Sequence, residues 1–236
     1  MKLSVLIPIY NEAKWLEKII LKVLKQGVDG IVSKELILVD DCSTDQSQDV
    51  MMKLKERYPD VIQCYFHSHN QGKGAAICTA IARMTGDICI IQDSDWEYDP
   101  ADYPQILKPI IDDLADCVYG SRFIGGQSKR VLYFWHFVGN QFLTLLSNMF
   151  TNLNLTDMET CYKAFRCELL KTIPIQSKRF GFEPEITAKI AAKKCRVYEV
   201  GISYNGRTYA EGKKITWVDG VKAILTILRF GFIKNV

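Results

Sequence analysis

Two hydrophobic periods alternate along the first hundred residues. "LSVLIPI", Leu3–Ile9, is a near-continuous apolar run and reads as a buried strand. Trp15, Leu16, Ile19, Ile20, Val23 and Leu24 then recur at helical spacing, with Asn11 placed to cap that helix. "ELILVDD", Glu35–Asp41, is a second strand of the same buried kind. "STDQ", Ser43–Gln46, reads as a capping box that opens the next helix. "VIQCYF" is a third strand, a helix follows from about Gly74 to Met84, and "DICIIQ" is a fourth strand. This alternation predicts an α/β fold: a mostly parallel central sheet with right-handed crossovers, flanked by helices.

The second half is less regular. "DCVYGSRF" reads as a strand running into a loop, "CYKAF" as a short strand, and "RVYEVGISYNGR" as another. "GFEPEITAKIAAKK" holds a helix starting near Pro184, and "ITWVDGVKAILTILRFGF" reads as an amphipathic terminal helix. From Val131 to Thr156 there is no Asp, Glu, Lys or Arg, yet Asn140, Gln141, Ser147, Asn148 and Asn152 make the run too polar to span a bilayer. It is aromatic and follows Lys129 and Arg130, which fits an interfacial helix or one packed on the domain. Composition favours the packed helix.

The length of 236 residues suits one sizeable α/β domain or a domain with a small appendage. A net charge of +3 with no basic run argues against nucleic acid as a partner. None of the eight cysteines forms a C-x-x-C pair, so zinc and redox spacings are absent. "MKLSVLIPIYNE" lacks the long apolar core of a signal peptide, and the expected compartment is the reducing cytoplasm.

In parallel α/β sheets, ligands bind beyond the carboxyl ends of the strands, near a switch point. "PIYNE", "DDCSTD" and "QDSDWE" end the first, second and fourth strands, so three polar clusters converge on one rim. In "IIQDSDWEYDP", Asp93, Asp95, Glu97 and Asp99 occupy alternate positions. Were the strand to continue, these acids would share one face and repel one another. A hard divalent cation, Mg²⁺ or Mn²⁺, held there and clamping a diphosphate would make the cluster favourable. The plainer alternative is a solvated turn, with Asp99-Pro100 capping the next helix. "GKGAA" lacks the form of a phosphate loop and reads as close helix packing. His67 and His69 share a strand face without an evident third ligand.

With those residues in hand, the chain resembles the family 2 inverting glycosyltransferases of the GT-A fold, a Rossmann-like sandwich. It is most similar to the dolichyl- and polyprenyl-phosphate hexosyltransferases. "SVLIPIYNE", "LILVDDCSTD", "NQGKGAA", "GDICIIQDSDWEYDP", "GSRF", "TDMETCYKAFR", "GFEPEIT" and "GISYNGRTYAEGKK" carry the resemblance across nearly the whole chain. It implies that Pro8, Tyr10 and Glu12 line the nucleotide pocket and that Val39 and Asp41 contact base and ribose. Asp93, Ser94 and Asp95 match the family's Asp-Ala-Asp, with Asp93, Asp95 and Glu97 as expected metal ligands. Arg122, Arg207 and Lys213 match basic positions facing the donor phosphates. Ser94, Trp96 and Glu97 depart from the usual Ala, Leu and Gln, and the chain ends at Val236 without the transmembrane helices many relatives carry.

The expected reaction is inverting, metal-dependent transfer of a hexose from a nucleotide sugar (GDP-mannose or UDP-glucose type) to a polyprenyl or dolichyl phosphate. The division expected is a catalytic domain over residues 1–212 and an amphipathic, membrane-interfacial helix over 213–236. A lipid phosphate is already an anion and needs no general base, whereas a sugar hydroxyl does. Asp157, Glu159, Glu183 and Glu185 are the candidates for that base, and Asp95 and Asp157 are the expected catalytic carboxylates. Transfer to a sugar hydroxyl in glycan assembly is the alternative. A sugar-1-phosphate nucleotidyltransferase would need a Gly-rich loop after the first strand, and "PIYNEAKW" has no Gly. A non-catalytic nucleotide-binding module is the remaining class.

Overall fold

Buried apolar strands and amphipathic helices alternate as the periodicity requires. The computed structural model describes residues 1–125, 128–131, 133–208, 211–212 and 217–232. β1 (Lys2–Ile9), α1 (Ala13–Lys25), β2 (Ser33–Asp40), α2 (Ser47–Arg57), β3 (Ile62–Phe66), α3 (Lys73–Ile81) and β4 (Ile88–Ile91) come first. They are followed by α4 (Tyr103–Ile111), β5 (Cys117–Ser121), α5 (Phe134–Thr151), β6 (Lys163–Arg166), α6 (Cys167–Lys171), α7 (Phe182–Ala192), β7 (Val197–Gly201) and α8 (Trp217–Gly231). The strands form one sheet in the order β3-β2-β1-β4-β6-β5-β7. All neighbours are parallel except β6, which runs antiparallel to both β4 and β5.

The chain steps outward from β1 to β2 and β3 on one side, then crosses to β4 on the other. That reversal is a topological switch point, and it opens a crevice at the carboxyl ends of β1 and β4. The register there is regular: Val5 lies between Leu36 of β2 and Ile90 of β4. Both faces of these strands are covered, and Val5, Leu36 and Ile90 have no exposed surface. The reversed β6 delivers the loop preceding it, residues 152–162, to the same rim.

Two helix starts differ from expectation. Asn11 does not cap α1, and Ser43 does not form a box at α2. Asp45 does both jobs from one loop: its Oδ2 accepts from Ala13 N at the head of α1 and its Oδ1 from Ser47 N at the head of α2. Asn11 adopts a left-handed φ of 52°, and its Oδ1 accepts from Thr44 N at 2.7 Å. Side chains that serve as caps in sequence logic here join two loops across the switch point.

The charge-free run forms α5, and its polarity is inverted. Thr144 and Ser147 are its buried residues, whereas Trp135, Leu145 and Met149 are 77%, 60% and 74% exposed. The inward stripe holds the preceding loop of β6 by hydrogen bonds: Gln141 to Thr156 O, Asn148 to Leu155 O, and Met158 N to Thr144 Oγ1. α8 packs beside α5, with Phe150 and Phe232 edge to face at 5.1 Å. Among the described residues, no helix is long and apolar enough to cross a membrane.

Candidate active site

The four alternating acids do not stack, because β4 stops at Ile91 and the acids turn to three different cations. Lys73 Nζ lies 3.1 Å from Asp93, and Lys22 Nζ lies 2.7 Å from Asp99. Arg207 takes the middle two: Nη2 is 2.7 Å from Asp95 and Nε 3.3 Å from Glu97. The same guanidinium reaches Glu12 at 3.1 Å, so residues from the ends of β1 and β4 and from the loop after β7 meet at one point. The left-handed backbone at Trp96, φ 65°, produces this divergence, and its ring stacks on Trp15 at 6.4 Å. As expected, Asp99 also caps the next turn, accepting from Ala101 N.

The electrostatics centre on Asp95. Burial first, then the charges of Asp93 and Glu97, push its carboxyl up to about 8, against the pull of Arg207. Burial works against the charge of Arg207, but Asp95, Glu12 and Glu97 hold its pKa above the ordinary value. Among the described residues, no three His, Cys, Asp or Glu side chains are grouped as a metal cage. Glu97 in particular has Oε2 taken by Tyr204 OH and Oε1 by Arg207, which makes it an anchor for that arginine. Beside Arg207, the groups acting on Asp95 are the carboxylates of Asp93, Glu97 and Glu12, a knot of like charge that a further cation would relieve, and Mg²⁺ needs only one or two carboxylates beside phosphates and water. Asp93 and Asp95 therefore fit a hard divalent ion, without Glu97.

The residues expected to bind the donor divide in the same way. Pro8 O accepts from Ser94 Oγ at 3.1 Å, joining the β1 and β4 rims, and Tyr10 is exposed at the end of β1. Val39 is buried in the sheet. The side chain of Asp41 is committed elsewhere: it accepts from Gln71 N, Gly72 N and His67 Nδ1, and is 2% exposed. Its place is to hold the turn leading into α3. His67 lies past the end of β3, bridging Asp41 and Thr79, so it shares no strand face with His69. Lys213 lies outside the described residues.

Arg122 and Asp157 form a closed pair. Arg122 Nε and Nη2 reach the two oxygens of Asp157 at 2.6 and 2.7 Å, and Arg122 N donates to the same carboxylate. Asp157 has no exposed surface, which removes it as a free base and makes it the anchor of Arg122. Arg122 also lies 5.2 Å over the ring of Tyr204, in the loop that carries Arg207.

Two participants were not evident from the residues alone. Asp40 ends β2 fully buried, and its Oδ1 has no hydrogen-bond partner, while Oδ2 accepts from Ser43 N and Gln48 Nε2. Lys73 stands between Gly72 and Gly74, where a Cβ would collide with the carbonyls of Lys178 and Ser177. The close-packing explanation of "GKGAA" therefore holds, yet that packing aims Lys73 at Asp93 and Glu183. A lone lysine between two glycines was the available signal.

A crevice at a switch point of a mostly parallel sheet, rimmed by carboxylates and two partly buried arginines, is the design of a group-transfer enzyme on the GT-A fold. Residues 4–173 match the family described as Glycosyl transferase family 2. The chain belongs to that family and is a glycosyltransferase. It is 27% identical to an undecaprenyl-phosphate mannosyltransferase of Micrococcus luteus, over 98% of this chain and 94% of that one. It is 26% identical to a UDP-N-acetylglucosamine–dolichyl-phosphate N-acetylglucosaminyltransferase of Methanococcus voltae, over 80% of this chain and 79% of that one. Among solved structures, glucosyl-3-phosphoglycerate synthase of Mycobacterium tuberculosis, in complex with Mn²⁺, UDP and phosphoglyceric acid, superposes with a TM-score of 0.74. That likeness has 18% identity and covers 98% of this chain and 79% of that one.

Proposed function

We propose that the enzyme moves a hexose from a nucleoside-diphosphate sugar to a polyprenyl or dolichyl phosphate, with inversion, at the cytoplasmic face of a membrane. The observation that carries the reading is Arg207, a partly buried cation bound to Glu12, Asp95 and Glu97 at the switch point. The reaction expels a nucleoside diphosphate, and a guanidinium there can follow the charge that develops on it. Asp93 and Asp95 are the residues to hold Mg²⁺ or Mn²⁺, which would supply Lewis-acid stabilisation of the leaving diphosphate. Lys73 orients Asp93, and Glu97 with Tyr204 orients Arg207. Tyr10 and Pro8 border the base, and the unpartnered Oδ1 of Asp40 suits a ring N–H of uracil or guanine. Lys213 joins this set from its position in the sequence alone.

A lipid acceptor is supported by two features. The Micrococcus and Methanococcus relatives are named for polyprenyl and dolichyl phosphate acceptors. The outward faces of α5 and α8 expose Trp135, Phe142, Trp217 and Leu225, with Lys222 also exposed, as an interfacial surface requires. We assign the terminal segment, 213–236, to that membrane-facing part from its sequence. The test is transfer itself. Purified enzyme with GDP-mannose or UDP-glucose and Mn²⁺ should glycosylate a short polyprenyl phosphate and lose that activity in EDTA. Transfer to sugar hydroxyls alone would reassign the acceptor.

A further inference from the structure

On the same rim, in the loop that β6 delivers to it, one carboxyl has no cation of its own. Glu159 lies in the turn before β6, and its Oε1 is buried without a hydrogen-bond partner. On α7, Glu183 is 4% exposed, and its Oε2 is likewise buried and unpartnered. The surrounding cations are already engaged. Arg122, after β5, is held by both oxygens of Asp157. Lys73, on α3, spans Asp93 and Glu183 at 3.1 and 3.3 Å. Lys163, on β6, donates to the carbonyls of Met158 and Thr160, on either side of Glu159. A carboxylate in such a place, beside a second carboxylate, takes up a proton in preference to staying charged. Burial first and the Glu183 charge second push Glu159 up to about 8, against Lys163 and Arg122, with Asp157 adding to the rise. Of the pair, Glu183 is sealed, whereas Glu159 keeps part of its surface open.

We propose, on the strength of the lipid-phosphate reading, that Glu159 meets the acceptor as a neutral acid and donates a hydrogen bond to a terminal oxygen of its phosphate. An acceptor phosphate approaching here passes Asp157, Glu183 and Asp93, whose charges are offset by Arg122 and Lys73. An ionised Glu159 would add an uncompensated negative charge in its path, while the acid form supplies a donor. A hydroxyl acceptor makes the opposite demand, since an ionised carboxylate must take its proton. The protonation state of Glu159 thus sets which acceptor class the cleft admits.

The experiment follows kcat/KM for farnesyl phosphate from pH 6.5 to 9.5, at saturating nucleotide sugar and Mn²⁺, in the wild type and in Glu159→Gln. The acceptor's second ionisation, near pH 6, lies below this window. Above about pH 8 the wild type should lose about tenfold in kcat/KM per pH unit. Glu159→Gln, a permanently neutral donor of the same shape, should keep kcat at pH 7 within a few-fold and lose the alkaline fall. Calorimetric titration with farnesyl phosphate at pH 7 and 9 gives the same comparison without turnover, and matched melting temperatures establish that the variant is folded. A variant with kcat reduced on the order of 100-fold at pH 7 and KM unchanged would make Glu159 a base and overturn the proposal. Persistence of the alkaline fall in the variant would overturn it as well. A wild type that ignores farnesyl phosphate but glycosylates a sugar hydroxyl defeats the acceptor assignment and this inference together, a result distinct from the other two.

Discussion

Arg207 illustrates how one side chain can serve two occupants. With Glu12, Asp95 and Glu97 around it, it balances the carboxylates of the free cleft, and the same geometry suits it to a diphosphate. Arg207→Ala should lower kcat/KM on the order of 10²–10³-fold, measured at saturating acceptor. Asp95→Asn should abolish transfer. Because Asp95 is pressed among like charges, that variant should melt in EDTA at the wild-type temperature or above it; a large drop would mean Asp95 is a structural anchor. Asp40 and Asp41 are adjacent acids at a strand end, and only the return of residues 67–72 decides which is consumed by backbone N–H groups. Asp157 carried the right motif, but its partner Arg122 lies 35 residues away and no local pattern links them.

At the scale of elements, the parallel half of the sheet was legible because β1, β2 and β4 are buried on both faces and so must be apolar throughout. The direction of β6 was not legible, since a four-residue strand reads alike in either sense. Helix caps failed for a related reason: Asp45 caps helices on both sides of it, through contacts made only once the loops meet. A second joint lies at the opposite end of the sheet. Glu35 on β2 receives Ser4 Oγ of β1, Lys2 Nζ, and Thr85 N and Oγ1 from the approach to β4. Burial alone would raise the pKa of Glu35, but these partners bring it down to about 2. Its contribution is therefore present above the usual carboxylate value of 4.5 and lost as pH falls through about 2. Glu35→Gln should cost roughly 1–3 kcal/mol at pH 7 and flatten the acid limb of urea-unfolding stability between those values. On α5, Thr144→Val leaves the buried Met158 N–H without its acceptor. It should cost ~1–3 kcal/mol and, by loosening the 152–162 loop, also raise the acceptor KM.

For the whole molecule, the paired faces of α5 and α8 define an orientation: crevice and exposed aromatics belong to one body joined by the 152–162 loop. The wild type should float with anionic liposomes at low salt. Trp135→Ser with Trp217→Ser should sediment while retaining activity on a water-soluble acceptor analogue. Loss of that activity too would assign these residues to folding. The inverted polarity of α5 carries a practical consequence. Hydrophilic substitutions on its outer stripe leave its hydrogen bonds to the domain intact, so they should be tolerated and should improve the yield of dispersed protein. If the acceptor is the proposed lipid phosphate, any campaign that selects variants for expression in water would therefore steer toward an enzyme detached from that substrate, and would register the loss only if screened with lipid present.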